Sequence, residues 1–284
     1  MDICVAGLGL IGGSMCMALK RAGIGVWGWN RSREPLDYAI QKGIIDAEAR
    51  DFESFDVVFV AMPPEATMEF INTHKFKDGA IITDICGVKS WVEKRIYRGQ
   101  RNFRYVGCHP MAGKEVSKIQ NACEDLFDNA SMVITHCKKT DAQAVETIKY
   151  LTKEMGFKRI VECTADVHDR KVAYTSQLAH IVSNAYVKND EMDSCIGFTG
   201  GSFQDMTRIA GVDEEVWASL YLKNTKYLEE DIASIISSLE QIKSAIASGG
   251  KTALKKVLRE GRQIFEARRD EYVPSSEIKV TELK

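Results

Sequence analysis

Residues 2–6 form a short, almost wholly apolar run that ends at Gly7, and apolar positions then recur at helical spacing from 11 to 22. This is the pattern of a strand feeding a helix. It repeats at once, with a strand predicted over 25–29 and a helix over 35–42 that carries Pro35 in its first turn. The segment 56–61 (DVVFVA) lacks polar alternation, as expected for a strand covered on both faces. The same reading places a helix at 67–74, a strand at 80–83, a helix at 88–97, strands at 105–107 and 131–135, a helix at 141–155 and a strand at 158–163. Strand and helix alternate throughout, which predicts an α/β fold, a doubly wound sheet, over residues 1–163.

Beyond Thr164 the period changes. Apolar residues return at helical spacing through 167–186, 216–248 and 254–268 with no strand between them, so residues 164–284 are expected to be an all-helical domain. The last dozen residues, from Val273, read as a frayed polar tail. Long helices with apolar faces in a domain of this size predict a bundle completed by a second copy, a homodimer through the helical domain.

Composition narrows the partners. The 284 residues carry 38 Lys plus Arg against 40 Asp plus Glu, a formal charge of -2, so no basic surplus points to nucleic acid. No apolar run approaches the roughly 18 residues that a membrane span needs, and no membrane partner is expected. The eight cysteines show neither a CxxC pair nor zinc-ligand spacing and are expected to be reduced, buried thiols. No basic segment or long apolar core opens the chain, so no signal peptide is expected and the expected location is cytoplasmic. The histidines show no metal-ligand spacing, and no metal is expected.

The candidate chemistry begins at Gly7-Leu8-Gly9-Leu10-Ile11-Gly12, placed between the first strand and the first helix. There the glycines Gly7, Gly9 and Gly12 permit a tight turn and a close approach. The backbone at Leu10 and Ile11 offers helix N-terminal amides to a pyrophosphate, which makes the domain a Rossmann-type dinucleotide site. The second strand ends in Asn30-Arg31-Ser32, where an acidic residue would favour NAD. An uncharged Asn30 followed by the guanidinium of Arg31, with Ser32 beside it, favours the 2′-phosphate of NADP, NAD being the other choice. His109 follows a strand end in Gly107-Cys108-His109-Pro110-Met111-Ala112-Gly113-Lys114-Glu115, a loop position suited to proton transfer near pH 7.

Four segments carry a resemblance: GLGLIGGS at 7–14, GCHPMAGKE at 107–115, HDRKVAYTSQLAHIVSNAYVK at 168–188 and FTGGSFQDMTRIAG at 198–211. In this order and at these separations the chain resembles the prephenate/arogenate dehydrogenases of tyrosine biosynthesis, from residue 1 to about 268. The resemblance implies a nucleotide-binding domain, a helical dimerisation domain and an active site in the cleft between them. It implies that His109 is the catalytic histidine and that Arg208 grips the substrate ring carboxylate. It implies too that His180 lies near the pyruvyl side chain, with Gln177 one helical turn earlier on the same face, and that Trp217 borders the pocket. Gly87, in Asp84-Ile85-Cys86-Gly87-Val88-Lys89, stands where many relatives carry a serine, so it is expected to let the backbone approach the nicotinamide while the orienting partner of His109 is left open. His168 reads only as the start of the first long helix. The activity implied is NAD(P)-dependent oxidative decarboxylation of prephenate. The alternatives are arogenate as substrate, or a non-catalytic NADP-binding sensor.

Overall fold

The structure, a computed structural model, describes residues 1–114, 116–268 and 279–282. The chain runs β1 (Ile3–Ala6), α1 (Leu10–Arg21), β2 (Trp27–Trp29), α2 (Arg33–Gln41), β3 (Ala47–Glu48), β4 (Val57–Val60), α3 (Pro64–Thr73), β5 (Ile81–Asp84), α4 (Ser90–Ile96) and β6 (Arg104–Pro110). It continues with β7 (Ser131–Thr135), α5 (Ala142–Glu154) and β8 (Arg159–Cys163). The sheet order is β3-β2-β1-β4-β5-β6-β7-β8-β9, with β9 (Lys279–Glu282) at the far edge. Strands from β3 to β6 are parallel, β7 pairs antiparallel with β6, and β8 and β9 follow β7 in parallel. The strand order reverses between β1 and β4, and ligands of such sheets bind outside the carboxyl ends of the strands at that point.

The core explains why these segments became strands. Ile3 and Val5 join one hydrophobic cluster with α1, α2 and α5, whereas Cys4 and Ala6 join a second with α3 and α4. Val57 and Phe59 divide from Val58 and Val60 in the same way. Successive strand side chains point to opposite faces, so a strand with both faces covered must be apolar at every position.

The helical part comprises α6 (Ala165–Val172), α7 (Leu178–Tyr186), α8 (Gly201–Thr207), α9 (Glu214–Lys223), α10 (Thr225–Ala247) and α11 (Lys251–Glu266). Thr164 caps α6 through a hydrogen bond from the Val167 amide, and a π-helical turn over Ala173–Gln177 joins α6 to α7. The sequence pattern, which placed no strand at β3 and no helix at α8, differs from the structure in further places. The single helix expected over 216–248 breaks at Asn224, which holds non-helical φ −125° and ψ 21° and is buried with its Nδ2 donating to the Asp169 carbonyl and to Gln177 Oε1, both at 2.8 Å. The expected strand 105–107 extends to Pro110, because β7 pairs with it in register as far as Met132 opposite Pro110. The tail expected from Val273 is not frayed over 279–282, where β9 pairs with β8, so the C-terminal part is not helical throughout. Three of the eight cysteines, Cys123, Cys137 and Cys195, are partly exposed rather than buried, and all eight are free.

Candidate active site

The turn from β1 into α1 is built by close packing. An added Cβ at Gly7 would stand 2.4 Å from the Ala61 carbonyl oxygen, and one at Gly12 would stand 1.9 Å from the Gly7 carbonyl oxygen. Gly7 also holds φ +100°, in the region that favours glycine. At Gly9, by contrast, nothing lies within 4 Å, so the space over the helix start is open. Gly9 caps α1 without a side chain, and the first turn carries no acidic residue to compete for its amides. Leu10 is buried and Ile11 packs on the core, so these two meet a ligand only through backbone N–H groups.

Asn30 buttresses this turn. Its Oδ1 accepts from the Leu8 amide at 3.0 Å and its Nδ2 donates to the Ser32 carbonyl at 3.0 Å. Arg31 and Ser32 are exposed, whereas the neighbouring Arg33 is held by Asp37 and Glu48 at 2.9 and 3.0 Å.

His109 lies on β6 itself, two residues beyond the Asp84–Gly107 pair that ends the β5 register, and part of its surface is open. Its Nδ1 is 2.8 Å from Nε2 of His168, whose own Nδ1 is 2.8 Å from Asp169 Oδ1. The Asp169 carboxylate also accepts from the backbone amides of Lys89 (2.7 Å) and Ser90 (2.9 Å), which ties α6 to the start of α4. Burial, then the neighbouring His168 and the Lys89 cation, push the His109 pKa well below the ordinary imidazole value. Burial also lowers that of His168 against the opposing pull of Asp169. For Asp169, burial opposes ionisation, but the His168 hydrogen bond and the two amides prevail and hold the carboxyl below its usual range. Both imidazoles are therefore neutral at neutral pH, and His109 can accept a proton.

Beneath this pair lies a fully buried cation. Lys89 and Asp84 are 0% exposed, and Lys89 Nζ donates to Asp84 Oδ2 and to the carbonyl of Cys108, the residue before His109. Tyr105 donates its hydroxyl to Asp84 Oδ1, and burial followed by that carboxylate raises the phenol well above its usual pKa. Asp84 Oδ2 accepts in addition from the Cys86 amide, which shapes the turn that carries Gly87.

The substrate-side residues come from the helices. His180 donates from Nδ1 to the Ser176 carbonyl at 2.9 Å, and its ring lies 4.0 Å from that of Trp217 on α9. Gln177 lies three residues before His180, at the end of the π-helical turn. It is 2% exposed and turned toward Asn224, and its Nε2 has no acceptor among the described residues. The sequence reading places it one helical turn before His180; in the structure its side chain is buried against Asn224. Arg208 is an exposed residue just beyond α8, the helix held to α7 by the Ser183 hydroxyl on the Met206 carbonyl. Glu115 lies outside the described residues.

Comparison with known families bears on this arrangement. The family described as "Prephenate dehydrogenase, nucleotide-binding domain" matches residues 15–161, and its companion "Prephenate dehydrogenase, dimerization domain" matches 164–260. The chain belongs to the prephenate dehydrogenase family. It is 32% identical over 261 residues to the prephenate dehydrogenase of Bacillus subtilis (strain 168), covering 86% of this chain and 70% of the relative. Among solved structures it is similar to prephenate dehydrogenase from A. aeolicus in complex with hydroxyphenyl propionate and NAD+, at TM-score 0.81 and 26% identity over 96% of this chain and 99% of that one. It is likewise similar to Synechocystis arogenate dehydrogenase, at TM-score 0.78 and 27% identity over 96% and 100% of the two chains.

In this family member the sequence reading singled out His109 and passed over the side chains that surround it, His168, Asp169, Lys89, Asp84 and Tyr105. The His-Asp dipeptide in the first turns of a helix was the available signal, and its partner lies 59 residues away. Gly87 faces His109 and the helical part together: an added Cβ would meet Leu220 at 3.6 Å and His109 Cε1 at 3.8 Å, ordinary contacts. Gly87→Ser is therefore expected to fold with a stability change under about 1 kcal/mol, and urea denaturation checks this.

Proposed function

We propose that this dehydrogenase oxidises prephenate to 4-hydroxyphenylpyruvate and CO2, preferring NADP over NAD. The observation that carries the reading is His109, partly open at the carboxyl end of the sheet and held neutral by its surroundings. The open space at Gly9, over the uncapped start of α1, fits a dinucleotide pyrophosphate. The backbone of that turn would hold NAD(P)+, which would supply the acceptor for the hydride that leaves C4 of the substrate. His109 takes the proton of the 4-hydroxyl as the C4–H electron pair departs, and the C4–O bond becomes a carbonyl. The bond from C1 to its carboxylate then breaks, CO2 leaves, and the electron pair completes the aromatic ring. The same proton returns from His109 to the resulting phenolate oxygen, so one imidazole serves as base and then acid.

Arg208 suits the ring carboxylate, because a guanidinium fixes both charge and orientation. His180, with the Trp217 ring against it, suits the substrate side chain, whereas Gln177 is buried behind it and would act there only through its neighbours. Arogenate is the second reading, supported by the likeness to the Synechocystis enzyme. Absorbance at 340 nm with either substrate against either cofactor tests both. No turnover in any combination would favour the cofactor-binding sensor.

The cofactor preference rests on Arg31, exposed and without an ion-pair partner among the described residues, whereas Arg33 is engaged. Arg31→Ala is expected to lower kcat/KM with NADP by about tenfold, equivalent to about 1.4 kcal/mol, and to leave NAD nearly unchanged. Equal losses with both cofactors would sink the assignment.

The nucleotide-binding domain is taken as 1–163 and the helical domain as 164–284, with β9 returned to the first. Ile236, Leu239 and Ile246 on α10 and Leu258, Ile264 and Phe265 on α11 are exposed apolar residues that a second copy would cover. Light scattering is expected to give twice the 31.8 kDa chain mass, and a monomer mass would overturn the dimer. No described helix is long and apolar enough to cross a membrane, and a cytoplasmic location belongs to the same reading.

A further inference from the structure

We propose that His168 and Asp169 are positioning residues that fix the tautomer of His109, so that Nδ1 carries the hydrogen and the Nε2 lone pair faces the substrate. The inference rests on the reading of His109 as the base. Its ground is the chain of contacts itself. The Asp169 carboxylate only accepts hydrogen bonds, so the nitrogen facing it, His168 Nδ1, carries a hydrogen. A neutral imidazole has one N–H, which leaves His168 Nε2 as a lone pair. At 2.8 Å from that lone pair His109 Nδ1 must donate, and the remaining nitrogen of His109 is then the acceptor.

The pair is rigidly placed. His168 and Asp169 are each 2% exposed, and the carboxylate oxygens take the Lys89 and Ser90 amides besides His168. Among the described residues, the neighbouring polar groups are already engaged. Lys89 Nζ is occupied by Asp84 and the Cys108 carbonyl, and Tyr105 by Asp84. Gly87 has no side chain to offer. The charged and titratable groups around the pair are Lys89 and Glu93 at α4, Asp84 on β5, Tyr105 and Cys108 on β6 and Cys163 at the end of β8. When His109 takes the substrate proton, its new charge is stabilised through Nδ1–H by an imidazole already polarised by a carboxylate. Neither partner is open to solvent, so the proton leaves by the path it entered, as the return to the phenolate oxygen requires.

Nitrogen-15 NMR of histidine-labelled protein should find His109 in the Nδ1–H form in the wild type and not in His168→Leu. In that variant kcat should fall by about 10²-fold or more, with KM and cofactor affinity little changed. The acid limb of its rate profile should move up, because the Asp169 carboxylate then acts on His109 without an imidazole between them. His168→Gln, which restores an acceptor oxygen, should recover at least tenfold of the lost kcat. If His168→Leu does not fold, Asp169→Asn, which takes the negative charge away from His168, should also lower kcat and should move the acid limb down instead of up. An Nε2–H form in the wild type, or an unchanged rate and pH profile in a folded variant, overturns the proposal. A wild type inactive on both substrates but with His109 in the Nδ1–H form overturns the substrate assignment and leaves the tautomer assignment standing.

Discussion

Replacing His109 with asparagine is expected to lower kcat on prephenate by about 10²–10⁴-fold and to leave the affinity for NADP within a factor of two, measured by fluorescence titration. An asparagine amide can occupy the strand position and accept a hydrogen bond, but it cannot take a proton near neutral pH. The hydroxyl at C4 would then ionise only by loss of its proton to water, with the positive charge no longer stabilised beside it. Cofactor affinity should survive, because the pyrophosphate site proposed at Gly9 and the first turn of α1 is three strands away in sheet order from β6. Retention of more than a tenth of the wild-type kcat would remove His109 from the role of base. Equal loss of turnover and of cofactor binding would show instead that the substitution disturbs the sheet edge.

Lys89→Met is expected to cost about 3–5 kcal/mol of stability, read from the urea midpoint at unchanged m. Methionine fills much of the same volume but carries no charge, and the Asp84 carboxylate beneath it is 0% exposed. That carboxylate would keep only the Tyr105 hydroxyl and the Cys86 amide. The Cys108 carbonyl would lose its donor as well, directly before His109. Breaking a buried pair by removing one partner leaves an uncompensated charge, which is the larger part of the loss. Adding Asp84→Asn to Lys89→Met removes that charge and should recover part of the stability. A single-variant loss below about 1 kcal/mol would show that water reaches Asp84.

Residues near one another in sequence told most about the fold. The apolar stretches at 2–6 and 56–61 identify doubly covered strands because adjacent side chains must enter the two clusters on opposite faces of one sheet. The glycines at 7 and 12 mark a tight turn because packing and φ forbid a Cβ at 7 and packing forbids one at 12. Where the pattern misled, a distant partner had intervened. Helical spacing runs unbroken through Asn224, but its side chain meets Asp169 and Gln177, 55 and 47 residues earlier, and the helix breaks there. β6 is longer than its apolar run because β7 pairs with its end.

The site divides along the same line. His109, Arg208, His180, Gln177, Trp217 and the glycine turn stand out in the sequence, through their motifs and through the resemblance these carry. The environment of His109 does not, because His168 joins it across 59 residues, and Asp169 reaches the Lys89 amide across 80. Hydrophobic periodicity and turn chemistry are local, so the sequence by itself determined which segments became strands, helices and the dinucleotide turn. Hydrogen bonds and ion pairs between buried polar groups depend on which segments meet, so only the tertiary structure decided what holds His109 and keeps it neutral.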